Sequence, residues 1–488
     1  MGLLGIFVAL AFLMFFAFRG WTILLLAPAA ALIAAAFAGE PLLAHWTQTF
    51  MIAASGFLAQ FFPIFLLGAL FGKLMDDSGS VTTIANFMTD KLGPSRAVLA
   101  VVVAGALVTY GGVSLFVAFF VLAPMGLALF QAGNIPRRLL PAAIALGTST
   151  FTMSALPGSP AIQNAIPMPF FGTTPFAAPG LGIIAAIVMF GFGIWWLNVA
   201  QARAQKASEG FDNSVVMEPV TSTLHAADDL TVRELASTAR EFDPAEIDAG
   251  ARAANGPPIV FAMLPLAVVI SANFVMTQFV LPHIDASFLE KGQWGGTSLS
   301  AVGGIWSVSV ALFLAIVVLV FLNYKRLPAL RDTVDAGANA SVLPVLSVAS
   351  LVGFGAVVAA LPAFAMVRDW VLGIGGGPLV SLAVATNILA ALTGSASGGM
   401  TIALDALGPT FMQIAHSTGL DPSLMHRVAV ISSGTLDSLP HNGAVVTMLS
   451  VCGCTHRESY LDIVMVAVLG ATLALIAVIV LGSMFGSF

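Results

Sequence analysis

Three ionisable residues in the second half of the chain lie in segments that are expected inside the membrane. Asp437 and His441 belong to the stretch SSGTLDSLPHNG, and Asp405 precedes them. Asp437 follows His426 by about eleven residues, or roughly 16 Å of helix, which places its carboxylate near the middle of a bilayer. Carboxylates at that depth are costly and usually functional, and histidine titrates near neutral pH. We therefore expect Asp437, His441 and Asp405 to bind a coupling ion. The structural alternatives are that Asp437 caps a broken helix, His441 bonds to the break and Asp405 anchors its helix.

Hydroxyl and amide side chains crowd the same stretch and a second one, TSTFTMSALPGSPAIQNAIP. Proline removes backbone donors from a helix, so both stretches are expected to break their helices and expose amide and carbonyl groups. Some of the hydroxyls bond only to their own helix. The residues that we expect to bind a substrate are Thr150, Ser154, Gly158, Ser159, Gln163, Asn164, Ser395, Ser397, Ser433, Thr435, Ser438 and Asn442.

The scarcity of charged residues in these stretches favours an anionic ligand that is bound without a Lys or Arg side chain. We find no Lys or Arg within the proposed core of either of the two repeats that contain these stretches, so an anion would be held by helix N-termini, exposed amides and hydroxyls, which suit a carboxylate. A cationic ligand would more naturally require a row of acids. The sequence has few of them there.

The two stretches lie in two copies of one motif, about 285 residues apart. The first copy spans 109–163 and the second 393–446. Gly111 and Gly112 correspond to Gly398 and Gly399, Ala123-Pro124 to Gly408-Pro409, and Leu156-Pro157 to Leu439-Pro440. Apolar segments that are interrupted at corresponding positions of two halves are typical of transporters, because irregular backbone inside a membrane persists only where it lines a cavity or is buried.

Composition places the chain in a membrane. It is 58% hydrophobic and 9% charged, whereas about a quarter of the residues of a soluble domain are charged. We interpret the run at 3–18 as a retained helix, since it lacks a basic leader and a small-residue cleavage site. The runs that are long enough, or nearly so, to cross a bilayer are 3–18, 22–38, 48–72, 176–199, 258–282, 301–322, 340–362 and 461–485.

The predicted fold is all-α and polytopic, with two inverted-topology repeats. We expect about ten full crossings and two re-entrant hairpins, at 97–131 and 378–415, although hairpins that span fully would give the same side assignment. With Arg19 in the cytoplasm, fifteen of the 18 Lys and Arg residues fall inside, and only Lys291, Arg368 and Arg427 fall outside. Both termini then face outward, and the protein is predicted to lie in a bacterial-type cytoplasmic (inner) membrane.

Three domains follow from these patterns. Residues 1–200 form the first membrane repeat, with its helix break at 154–174, and residues 257–488 form the second, with its break at 432–446. Residues 201–256 are a polar, acidic, cytoplasmic linker, in which Leu230, Val232, Leu235 and Phe242 form the apolar face of a short amphipathic helix. The two cysteines, Cys452 and Cys454, are interpreted as structural residues, not as a metal or redox site.

The stretches SALPGSPAIQNAIPMPFFGTTPF and ISSGTLDSLPHNGAVVTMLSVCGCTHRESY resemble the gluconate:proton symporter family of permeases within the ion transporter superfamily, and in particular its branch for short hydroxy acids or ketone bodies. The resemblance covers nearly the full length. It implies uptake of an organic acid with protons, elevator-type movement and a homodimer. The chain departs from the family at LPGSP, because Gly158 stands where the gluconate permeases have a histidine. A smaller acid such as 3-hydroxybutyrate then fits better than a sugar acid.

The expected function is secondary active, proton-coupled symport of a small organic anion by alternating access, with no cofactor, no metal and no nucleic acid as partner. The chain has no nucleotide-binding loop, so an ion gradient must supply the energy. A sodium- or metal-coupled transporter of citrate or dicarboxylates is the nearest alternative. A membrane-embedded enzyme is a distant one, because the sequence lacks HExxH and a nucleophile elbow.

Overall fold

Helices make up the core of the protein in a computed structural model, which describes residues 2–19, 21–211, 250–440 and 442–488. In this described part no strand occurs, and seven helices are long and apolar enough to cross a membrane. The all-α polytopic class predicted from the sequence is thereby confirmed. Two predictions lie outside the described residues, namely the amphipathic helix of the linker and the position of His441.

The described helices are numbered along the chain, leaving out short 3₁₀ turns. In the first half they are α1 (Gly2–Phe18), α2 (Ile23–Ala38), α3 (Leu42–Asp77), α4 (Ser80–Leu92), α5 (Ala97–Tyr110), α6 (Leu115–Ala132), α7 (Leu140–Thr148), α8 (Phe151–Ser154), α9 (Ile162–Ala165), α10 (Pro167–Phe171) and α11 (Pro179–Lys206). In the second half they are α12 (Ile259–His283), α13 (Leu299–Arg326), α14 (Leu330–Ala360), α15 (Phe364–Leu372), α16 (Pro378–Thr393), α17 (Ala396–Thr418), α18 (Pro422–Ser433), α19 (Gly443–Val451) and α20 (His456–Phe485).

The segments that were expected to form ten crossings take three forms in the described structure. Six are long continuous helices, namely α3, α11, α12, α13, α14 and α20. The first two, α1 and α2, have only 17 and 16 residues. The remaining two are interrupted at the predicted breaks, one in the segment from α7 to α10 and the other between α18 and α19.

Helix pairings in the first half recur in the second. α1 packs on α2 as α12 packs on α13, and α5 contacts α6 and α7 as α16 contacts α17 and α18. The central helices α3 and α14 also pack against each other, as do α11 and α20. This recurrence supports the two-repeat interpretation, and it places the two helical hairpins, α5–α6 and α16–α17, in equivalent environments.

Small residues allow the hairpins to turn and close. At the first tip Gly112 has φ +100°, a value that side chains rarely adopt, and at the second Gly394 has φ +63°. The next helix begins after Ser395, whose hydroxyl accepts a hydrogen bond from the amide of Gly398. A Cβ on Gly399 would lie 2.2 Å from the backbone nitrogen of Ala390, so the arms of the second hairpin touch there.

Ion pairs fix the two described ends of the linker. Arg252 reaches Asp76 at 2.9 Å, so the last part of the linker is held at the end of α3. There the Nζ of Lys73 lies 2.9 Å from Asp77, and both side chains are almost fully buried. At the other end, Arg138 pairs with Glu209.

The two cysteines are buried and not bonded to each other. Cys452 is 1% exposed and Cys454 9% exposed, and both are free thiols. The Cys454 thiol donates to the backbone oxygens of Arg137 and Cys452 at 3.7 and 3.6 Å. They are therefore packed into the turn between α19 and α20.

Candidate functional site

Two adjoining cavities lie where the hairpin tips meet the helix breaks. The first has a volume of about 30 Å³ and the second of about 190 Å³. They share Leu115, Met153 and Gln163, which form the boundary between them. Both repeats supply walls to each cavity, as expected for a site at the interface of two repeats.

The first cavity lies at the N-termini of three helices. Leu115 begins α6, Ala396 begins α17, and Ala444 and Val445 lie in the first turn of α19, and all four line the cavity. The N-terminus of a helix carries a partial positive charge from its aligned amides, including where side chains such as Ser114, Ser395 and Asn442 cap some of them. Their convergence makes this cavity favourable for an anion.

Asp437 is the ionisable side chain among the described residues that line the first cavity. It is half-buried, and the hydroxyl of Ser438 donates to its Oδ1 at 3.2 Å. No described Lys, Arg or His forms an ion pair with it. A carboxylate without a cation partner in such a site is well placed to take up and release a proton.

The second cavity lies between the break of the first repeat and the central helices. Ile64, Phe65, Gly68 and Ala69 of α3 and Ala340, Ser341, Pro344 and Val348 of α14 form one side. The first hairpin tip, residues 160–163 and Ser397 form the other. Gln163 faces both cavities, and its buried Oε1 has no hydrogen-bond partner in the described part of the chain. An atom of this kind is available to a ligand or a water molecule.

The structure brings about half of the sequence-predicted site residues to the cavities. Ser154, Gln163, Ser433, Asp437, Ser438 and Asn442 line the first, and Gln163 and Ser397 line the second. The other predicted residues in the described part line neither cavity, and they are Thr150, Gly158, Ser159, Asn164, Ser395, Thr435 and Asp405.

Residues outside the cavity walls support the breaks. The Thr150 hydroxyl donates to the carbonyl of Leu146 at 2.7 Å, and the Thr435 hydroxyl donates to that of Ser432 at 2.8 Å. The hydroxyl of Ser159 accepts a hydrogen bond from the amide of Ala161 at 3.3 Å. These bonds satisfy backbone groups that the breaks release.

Asn442 connects the second break to the second hairpin. Its Oδ1 accepts hydrogen bonds from the amides of Ala444 and Val445, so it caps α19. Its Nδ2 donates to the carbonyl of Gly394 at 3.0 Å, at the hairpin tip. A residue that was expected to contact substrate therefore also sets the position of two cavity walls.

Gly158 makes the sharp turn of the first break. Its φ is +76°, and a Cβ at this position would lie 2.6 Å from the ring of Phe176. We expect Gly158→His to lower the stability of the protein by about 1–2 kcal/mol, because a side chain there is strained and displaces Phe176. The thermal midpoint of the purified variant measures this effect. An unchanged midpoint, with altered selection between gluconate and 3-hydroxybutyrate, would show instead that the site accepts the histidine.

A buried network behind the first break was missed by sequence reasoning. Arg427 is fully buried, and its Nη2 and Nε donate to the carbonyl of Ala177 at 2.6 and 3.2 Å. Its Nη1 lies 3.4 Å from the carbonyl oxygen of Ser154 and 3.5 Å from Oδ1 of Asn164. The assignment of Arg427 to an outside loop is thus wrong, and the statement that no basic residue lies in the core needs the same correction.

The histidine beside this arginine has a defined role in the network. Asn164 donates through Nδ2 to the carbonyls of Ser159 and Pro175, so its Oδ1 is the acceptor for Nε2 of His426 at 3.2 Å. A second positive charge beside the buried Arg427 is unfavourable, so the other ring nitrogen, Nδ1, carries no proton and accepts from the hydroxyl of Thr173 at 2.6 Å. The imidazole is neutral and fully bonded in this arrangement. The sequence signal was the pair His426-Arg427 directly before the apolar VAVI.

Comparison with known proteins gives the chain a family. The uncharacterized transporter YxjC of Bacillus subtilis (strain 168) is 38% identical over 495 residues, which cover all of both chains. An uncharacterized transporter of Haemophilus influenzae is 31% identical over 173 residues, which cover 35% of this chain and 39% of that protein. No protein-family model matches.

A solved structure shares the fold. MtrF of Neisseria gonorrhoeae, which represents a class of antimetabolite efflux pumps, has a TM-score of 0.52 and 15% identity, and the match covers 91% of this chain and 84% of that one. At this identity the likeness concerns the fold alone. The relatives' names favour transport over enzymatic function, and the similarity to YxjC extends over the full length. The chain is a multi-pass membrane protein that belongs to the transporter family of YxjC.

Proposed function

We propose that the protein is a secondary active transporter that carries a small organic anion together with a proton. The observation that carries the proposal is the first cavity, in which three helix N-termini converge beside one carboxylate, Asp437. Helix N-termini and hydroxyls bind the anion. Protonation of Asp437 removes the negative charge that would repel it.

The proposed substrate is a hydroxy-carboxylate such as 3-hydroxybutyrate or gluconate. Support comes from the resemblance of both breaks to the gluconate:proton symporter family and from the lining of the first cavity. Hydroxyls of Ser154 and Ser433 lie beside the apolar side chains of Phe119, Met153 and Met448. The small volume of this cavity and the apolar side chains among its polar groups suit a short acid better than a sugar acid.

Alternating access requires that the site meets one side of the membrane at a time. We propose an elevator in which the hairpins and broken helices move against α3 and α14, since the second cavity lies between these two groups. The chain is proposed to act as a homodimer in a bacterial-type inner membrane, with both termini outside. We propose Asp437 as the residue that carries the proton, with His441, which lies outside the described residues, as the alternative carrier.

Proteoliposomes under an inward proton gradient test the proposal. We expect labelled 3-hydroxybutyrate, and less strongly gluconate, to accumulate without sodium, by up to about tenfold for each pH unit if one proton accompanies each anion. A protonophore should abolish the accumulation. Accumulation that requires sodium, or none of either acid, would contradict proton symport and favour the sodium-coupled dicarboxylate alternative.

Export is a second candidate function, because the fold of MtrF is that of an efflux pump class. The geometry of the cavities is compatible with both uptake and export, because the direction of substrate movement depends on how it is coupled to the proton gradient. Loading the anion inside proteoliposomes and applying the proton gradient in both directions distinguishes the two. Efflux driven by proton entry would establish antiport, whereas cotransport in the direction of the proton establishes symport.

A further inference from the structure

Arg427 is a buried cation that the described structure leaves without a carboxylate partner. It is the largest fully buried side chain, and all of its hydrogen-bond partners in the described residues are neutral groups, namely the carbonyls of Ala177 and Ser154 and the amide oxygen of Asn164. Burying a charge with only dipoles around it is unfavourable. A function for the charge therefore needs to be identified.

The fold makes room for this guanidinium. A Cβ on Gly182 in α11 would lie 2.5 Å from the carbonyl oxygen of Ala155 and 3.3 Å from Nε of Arg427. α11 can therefore approach the backbone of the first break, and the guanidinium beside it, only because position 182 lacks a side chain. The missing side chain at position 182 thus leaves space for the arginine between the two halves of the chain.

Its position is directly behind the wall of the first cavity. Nη1 of Arg427 contacts the carbonyl of Ser154, and the same Ser154 lines the cavity. Interactions between charges are strong in a medium of low dielectric constant and are little screened by salt when buried. The positive charge of Arg427 therefore adds to the positive electrostatic potential that the three helix N-termini create in the first cavity. Ser154 separates Arg427 from the cavity, so the guanidinium does not touch the ligand.

Asp437 supplies the opposite charge from within the cavity. With Asp437 ionised and the cavity empty, the pair Arg427 and Asp437 has no net charge. Binding of one proton and one monovalent anion leaves that sum unchanged. A dianion with one proton, or an anion alone, would leave an uncompensated negative charge in the core, which is unfavourable.

The other ionisable groups around this site are engaged or distant. Tyr110 donates to the carbonyl of Pro157, and His426 is neutral in its hydrogen bonds to Thr173 and Asn164. On α20, Asp462 pairs with Arg138, and His456 and Tyr460 bond to the carbonyls of Pro440 and Ser438. Asp405 lines neither cavity. His441 lies outside the described residues and is tested by substitution below.

We propose that Arg427 is the fixed positive charge of the site, so that the protein carries a monovalent anion with one proton and moves no net charge across the membrane. This inference rests on the proposed function and adds its stoichiometry and its charge selectivity. Arg427 is a positioning residue in this scheme, because its effect reaches the substrate through Ser154 and the cavity potential.

The wild-type protein tests the stoichiometry without any substitution. In proteoliposomes, a pH gradient alone should drive accumulation of 3-hydroxybutyrate, and a membrane potential set by potassium and valinomycin alone should drive none. The ratio of protons to anions should be one. Accumulation that follows the potential, or a ratio of two, would overturn the inference and leave proton symport standing. Absence of any proton-driven accumulation would remove the proposed function and the inference together.

Substitutions test the role of the arginine itself. The readout is the preference for 3-hydroxybutyrate over its neutral amide in competition for transport, which does not depend on the amount of protein. Arg427→Met should reduce this preference by about tenfold or more, and Arg427→Lys, which keeps the charge, should retain most of it. An unchanged preference in Arg427→Met would overturn the inference.

A matched variant distinguishes the effect of the charge of Arg427 from the effect of its hydrogen bonds to the first break. Asn273 donates to the carbonyl of Gly158 at 3.0 Å, so Asn273→Leu also removes a donor to the first break but no charge. It should keep the preference for the anion. His441→Gln should keep the proton ratio of one, and a ratio of zero in that variant would assign the proton to His441 and overturn the pairing of Arg427 with Asp437. If Arg427→Met does not fold, the wild-type ratio and potential dependence still decide the inference.

Discussion

Asp437→Asn is expected to abolish proton-driven accumulation, reducing it by at least about 100-fold, while exchange of labelled for unlabelled anion across the membrane continues. The amide keeps the shape and the hydrogen bond with Ser438, but it cannot be protonated and released. The site therefore remains permanently in its neutral, anion-binding form. Counterflow and gradient-driven uptake, measured in the same proteoliposomes, separate these two properties.

Two other acids serve as comparisons for this result. Asp332 is exposed, and Asp332→Asn should leave accumulation unchanged. Asp405 lines neither cavity, so Asp405→Asn should reduce accumulation less than Asp437→Asn does. Full gradient-driven accumulation by Asp437→Asn would exclude this carboxylate from the coupling mechanism. Loss of accumulation in Asp405→Asn alone would assign proton coupling to Asp405 in the second hairpin.

Gly399→Ala is expected to produce the largest loss of stability, about 3 kcal/mol. The new Cβ would lie 2.2 and 2.3 Å from backbone atoms of Ala390, and backbone cannot move aside as a flexible side chain can. The arms of the second hairpin must separate, which displaces Ser397 and Ala396 from the cavities. The thermal midpoint of the detergent-solubilised protein, measured by size-exclusion chromatography after heating, shows the effect.

Gly191 provides the control for this substitution. It lies within α11, it is exposed, and a Cβ there meets nothing within 4 Å. Gly191→Ala should raise stability slightly, by up to about 1 kcal/mol, because alanine is the better helix former. A midpoint for Gly399→Ala equal to that of Gly191→Ala would mean that the hairpin arms are not in contact.

The sequence predicts the positions of the breaks because local chemistry determines them. Pro157 with Gly158, and Pro440 among polar residues, interrupt their helices, whereas the isolated prolines Pro63, Pro124 and Pro409 lie inside continuous ones. Gly394 with Ser395 forms a C-cap followed by an N-cap. The apolar runs likewise reveal the long helices. These features require only neighbouring residues, so the all-α architecture and its interruptions follow from the chain itself.

Contacts between distant segments could not be predicted in the same way. Arg427 and His426 follow Asp421-Pro422 near a helix start and resemble surface residues, yet their partners are Ala177, Asn164 and Thr173 about 250 residues away. A positive charge near a hydrophobic run fits a loop as well as a buried network. Among the hydroxyls, Thr150 and Ser154 are equally polar in sequence, and only packing decides that Ser154 reaches a cavity.

The burial of both cysteines has a practical consequence for labelling. The chain contains only Cys452 and Cys454, which are 1% and 9% exposed. A cysteine introduced at Ala161, which is partly exposed and lines the second cavity, would therefore be more accessible than either of them. Its rate of reaction with a membrane-impermeant maleimide, applied from either side, reports directly which compartment the cavity opens to.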